Sequence, residues 1–158
     1  MALSPMMYSI MCYLEPLAIA ANIVQSAFCC LDQVLLIFGY LVMQYKQPEM
    51  AKDPVGCDAI INSIEMRWRK SDQELFIAAV LVNPFYHNKP FVKLPFLTNA
   101  EIWVLFCHLW QQLFKTTVPD NFEDLLHHFF ASTGSFAGLE SQCDYAVRTA
   151  HSKVNRIY

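Results

Sequence analysis

Apolar residues along this chain recur at the three-and-four spacing of helical faces, and polar corners cut the pattern into separate segments. The best defined of these runs from Cys57 to His87. Cys57, Ile60, Ile61, Ile64 and Trp68 share one helical face, while Asn62, Glu65, Arg67 and Arg69 fall mostly elsewhere. A Ser three residues ahead of a Glu, in Ser71-Asp72-Gln73-Glu74, predicts a second helix start, because such a pair satisfies two orphan amide donors. From Leu75 to Val82 every position is apolar, and Asn83-Pro84 ends the run. A helix is expected there. A short buried strand over 75–82 stays open, since Ile77, Val80 and Val82 are β-branched.

On either side the same reading predicts further helices around this corner. Residues 1–12 are apolar and methionine-rich, carry Pro5, and read as an arm without a clean period. Residues 13–158 read as one helical domain. Its first helix is expected over roughly 15–27, with Pro16 in the first turn, and a second over Leu31 to Tyr45, two core helices meeting near Phe28. A polar stretch with two prolines and a glycine makes 46–57 the expected linker. Thr98 with Glu101 opens a helix reaching about Lys115, whose tryptophans and phenylalanines are expected at the centre of the core. Asp120 with Glu123 opens another, with Phe122, Leu125, Leu126, Phe129 and Phe130 on one face and a stop at Ser132-Thr133-Gly134. Leu139, Cys143, Ala146, Val147, Ala150 and Val154 outline a last one. The expected fold is all-α, a single compact multi-helix domain.

Composition sharpens one point: what covers so much apolar surface. Of 158 residues, 55% are apolar and 16% charged, with a mean hydropathy of +0.27. Soluble domains typically hold about 45–50% and about 25% respectively. A filled core, a partner chain or a second copy, or lipid could account for the excess. A membrane span over Leu17 to Met43 is disfavoured, because Asn22, Gln25, Ser26, Asp32 and Gln33 interrupt it, whereas a spanning helix needs about 20 apolar residues. The net charge of −3 argues against a phosphate grip by the whole chain. Arg67, Arg69 and Lys70 form the densest basic cluster, either a solvated helix end or a DNA contact.

Reactive chemistry finds little support. The six cysteines make no CxxC pair and read as buried reduced thiols of an intracellular protein. Cys107-His108 and His127-His128 are adjacent pairs whose side chains diverge by about 100° on a helix, and His87 and His151 stand apart, so no metal site is expected. No nucleophile elbow, Walker loop or dinucleotide fingerprint is present, and neither enzyme activity nor a cofactor is expected. A base-stacking platform on Trp103 and Trp110 lacks the interleaved Arg and Lys it would need.

Three segments carry a family resemblance. LEPLAIAANIVQ at 14–25, IEMRWRKSDQELFIAAVLVNPFY at 64–86 with its Asn83-Pro84-Phe85-Tyr86 ending, and FFASTGSF at 129–136 resemble the hAT transposase superfamily, in particular transposon-derived fungal proteins. The resemblance implies a piece of the helical insertion in an RNase H-like nuclease core, in nuclear proteins that cut and join DNA with three metal-holding acids. Two of those acids would lie upstream of Leu14, and the Ser-Glu-Arg motif bearing the third is not found in this sequence. Asp32, Asp58, Asp72 and Glu74 match no catalytic motif, so a non-catalytic fragment is expected.

Overall fold

A computed structural model describes residues 5–47, 50, 53–86, 89–91 and 97–154. Among them run seven α-helices: α1 (Pro5–Val24), α2 (Leu31–Tyr45), α3 (Pro54–Lys70), α4 (Gln73–Val82), α5 (Asn99–Phe114), α6 (Phe122–Phe130) and α7 (Leu139–Val154). Short 3-10 turns stand at Lys89–Phe91 and Gly134–Phe136. The fold class is all-α. The strand left open over 75–82 is helix, inside α4. A side-chain cap explains why: the Asp72 carboxylate accepts from the Leu75 amide at 3.3 Å and starts the helix before the β-branched residues are reached.

By internal contacts the chain divides into two compact units, Met1–Ile77 and Ala78–Tyr158, the boundary falling within α4. In the first unit α2 packs on both α1 and α3. Its core joins Ala20 of α1, Ile37, Leu41 and Tyr45 of α2, and Cys57, Ile61 and Ile64 of α3. Positions 37, 41 and 45, and 57, 61 and 64, are one helical stripe each, which is why two helices can interlock along their length. Fully burying a Leu or Ile is worth about 1.5–3 kcal/mol, so these few side chains dominate the unit. The Tyr45 hydroxyl reaches across to donate to the Tyr13 carbonyl at 2.6 Å.

Several boundaries differ from expectation. Residues 5–12, expected to be an arm, form the first turns of α1, so Pro16 lies inside that helix and not in its first turn. Its ring removes the amide that would bond the Cys12 carbonyl, a cost that packing of Pro16 itself, which is buried, helps to offset. The tract 17–43 is, as expected, two helices that meet near Phe28, which stands 89% exposed in the turn between them. Within 46–57 the helix already begins at Pro54: Asp53 caps it by accepting from the Gly56 amide at 3.0 Å, with Pro54 at the position where a missing donor is harmless.

In the second unit Ala78, Val80 and Leu81 of α4 are buried, as are Ile102, Leu105, Phe106 and Leu109 along one face of α5. Thr98 caps α5 as expected, its hydroxyl accepting from the Glu101 amide at 3.3 Å. Trp103 and Trp110 are only half-buried, and Leu113 and Phe114 are exposed, so the aromatic helix is not central along its whole length. The expected Asp120 cap of α6 is absent: the helix starts one residue later, after Asn121, with no side-chain cap. Its end follows the Schellman pattern, with Ser132 N–H to Phe129 O at 3.1 Å and Thr133 N–H to His128 O at 2.9 Å, and places Ser132 at a left-handed φ of 53°.

Candidate functional site

The basic cluster sits in the last turn of α3, where cations favour the negative end of the dipole. Helical geometry separates what the sequence places together. Arg67 and Lys70, three apart, share a face, and Arg69 points away from it. Arg67 donates to Ser63 Oγ at 2.8 Å, and Arg69 pairs with Glu65 at 3.8 Å on the exposed surface. Beside them the corner is tightly built. Ser71 Oγ donates to the Trp68 carbonyl at 2.7 Å, so the serine expected to cap α4 closes α3 instead, and Asp72 takes the capping role. The Trp68 ring lies between Phe38 at 5.6 Å and Phe76 at 6.0 Å.

The six cysteines, expected to be buried, are not all so: Cys57 is buried, Cys30 is exposed, and Cys12, Cys29, Cys107 and Cys143 are half-buried. Cys57 is 4% exposed and donates to the Met50 carbonyl at 3.4 Å. Desolvation pushes its pKa above the ordinary thiol value, and the nearby Asp53 and Asp58 carboxylates push it further. Cys107 on α5 is raised for the same two reasons, burial first and then the charge of Glu123. Both stay protonated at neutral pH, the opposite of an activated nucleophile. Among the described residues no three His, Cys, Asp or Glu side chains converge as a metal site. His127 and His128 diverge as expected, with ring centroids 6.1 Å apart, and His128 Nδ1 lies 2.8 Å from Thr133 Oγ1. His87 lies outside the described residues, as does the His151 side chain.

Two surfaces stand out that were not singled out from sequence. On α1, Tyr13, Pro16, Leu17 and Ala20 turn inward, while Met11, Leu14, Ala18, Ala21 and Gln25 are exposed, the last just beyond the helix end. Their spacing is three, four, three, four, the seam of a coiled-coil helix. Among the described residues no helix is long and apolar enough to cross a membrane.

The other surface is a cleft of about 360 Å³ between α5 and α6, within the second unit. Ile102, Leu126 and Phe130 give it apolar walls, Trp103 an indole, and Asn99 at the start of α5 with Glu123 and His127, one turn apart on α6, its polar groups. The Trp103 and Phe122 rings meet at 5.8 Å and hold the two helices at this point. The signal in the sequence was the pair of polar residues at i and i+4 flanking the apolar face of α6. Set against protein-family models, curated proteins and solved structures, the chain finds no match.

Proposed function

We propose that this chain is a non-catalytic helical interaction module that self-associates through α1. The exposed seam of Met11, Leu14, Ala18 and Ala21 carries the reading, because it repeats at the interval a second helix would need and lies opposite no part of the unit's own core. Glu15 is the one charged residue of α1, so two copies would meet there with little repulsion. Small residues at 18 and 21 let backbones approach, and Leu14 at 56% exposure has apolar area still to bury. Light scattering over a range of concentrations tests this. Association that rises with concentration and is abolished by Leu14→Glu is expected. A monomer at high concentration would overturn it.

A second reading rests on the exposed basic turn of α3 beside the helix-corner-helix that 64–86 forms. It takes the chain as a helical piece of a hAT-like nuclear protein that touches DNA weakly through Arg67, Arg69 and Lys70. Fluorescence anisotropy with duplex DNA should then give salt-sensitive binding that drops in the Arg67→Ala, Lys70→Ala double variant. Binding unaltered by salt or by that variant would remove this reading.

A further inference from the structure

We propose that the cleft between α5 and α6 is a binding site for a small organic cation with an apolar body, such as an arylalkyl ammonium. Three independent features favour that occupant. The volume of about 360 Å³ lies at the small end of ligand pockets, large enough for one ring and a short chain. Its walls combine aromatic and aliphatic side chains, Trp103, Ile102, Leu126 and Phe130, with one carboxylate, Glu123, beside the neutral polar groups of Asn99 and the His127 imidazole. An ammonium on a hydrocarbon body matches both kinds of lining, since indole faces attract cations and the carboxylate supplies the opposite charge.

The local charge has the right sign. From 99 to 131 the chain carries four acids, Glu101, Asp120, Glu123 and Asp124, against a single lysine, Lys115. Among the described residues no cation pairs with Glu123. Its charge is felt inside the helix pair, because it helps to raise the Cys107 thiol on α5. An anion would meet repulsion here, and a neutral apolar molecule would leave the exposed carboxylate to water and gain nothing from its charge.

Titration with 2-phenylethylammonium, followed by calorimetry and by backbone amide shifts, tests the assignment. Saturable binding is expected, with shifts concentrated on 99–106 and 122–131. The neutral 2-phenylethanol should bind at least about fivefold more weakly, and Glu123→Gln should erase that preference while keeping the fold, since the side chain is exposed. Leu126→Trp, which fills the cleft, should abolish binding of both. Equal affinity for the alcohol, an undiminished preference in Glu123→Gln, or shifts lying elsewhere would each overturn the proposal.

Discussion

In α1 to α3 the buried side chains are mainly aliphatic and come from all three helices, whereas of α5 and α6 the first supplies every buried residue and the second none. Both regions are rich in apolar sequence. The difference lies in shape. Long helices of 15 and 17 residues offer Ile and Leu at successive turns, and two such stripes close on each other with few gaps. α6 has nine residues, about two and a half turns, and its Phe122 reaches the α5 tryptophans in an aromatic layer that stays partly wet. Ring contacts at 5.0 Å between Trp110 and Phe122, and 5.3 Å between Phe129 and Phe136, hold that layer while leaving a cleft beside it. The closely interlocked α2 and α3 give stability, and the loosely layered α5 and α6 leave a place for a ligand.

The largest effect that can break this contrast is a cavity. Ile64→Ala in the first unit should cost about 2–4 kcal/mol in urea denaturation. Leu126→Ala, at a half-buried position lining the cleft, should cost about 1 kcal/mol, because its surroundings are already open to water. Equal losses would mean that the two regions are packed alike. Next comes the cross-helix hydrogen bond. Tyr45→Phe removes the hydroxyl's bond to the Tyr13 carbonyl in a partly buried setting and should cost about 1 kcal/mol. Thr133→Val removes an exposed contact with His128 and should fall within about 0.5 kcal/mol.

A smaller effect of opposite sign tests the backbone. Every described positive φ, at Lys115, Ser132, Gly134 and Gly138, falls in the second unit. A serine in the left-handed region is strained by its Cβ, so Ser132→Gly should raise stability by about 1 kcal/mol. The matching change in the first unit, Lys46→Gly at a right-handed cap, should give no gain. Thermal melts of both variants decide it, and a gain at Lys46 would show that unfolded-chain effects dominate.

Much of the first unit was legible in sequence because its determinants are local. Cys57, Ile61 and Ile64 were placed on one face by period, and in the second unit the same kind of local signal placed Thr98 as a cap by its spacing to Glu101. Where two capping residues adjoin, as at Ser71-Asp72, pattern does not say which helix each serves, and the structure gives Ser71 to the end of α3. Proline at 16 looked like a helix start because helix interiors rarely tolerate it, yet an apolar stretch on both sides outweighed that local penalty. The cleft depends on how α6 meets α5, a tertiary relation that no periodicity encodes. Arg67, Arg69 and Lys70 were visible as a cluster, but only helical geometry shows that Arg69 leaves the face of the other two.

The last contrast is silent at neutral pH and emerges in alkali. In the first unit Cys57, Tyr45 and Tyr13 all have raised pKa values, burial being the leading cause for each. In the second, Cys107 is the one described group so raised. A raised folded-state pKa means that the native state holds its proton longer than the unfolded chain does. Stability is therefore complete below the ordinary values of 9.0 for thiol and 10.0 for phenol, and falls as pH rises through them toward the raised folded values. Melting temperatures under reducing conditions at neutral pH and at increasing alkaline pH should decline. Cys57→Ala should lower the neutral value yet flatten the decline, because one of the three contributors in that unit is gone. Glu123→Gln should flatten it less, since it relieves only the second cause of the Cys107 shift. A slope unchanged by Cys57→Ala would separate the alkaline loss from the buried thiol and leave the two tyrosines to account for it.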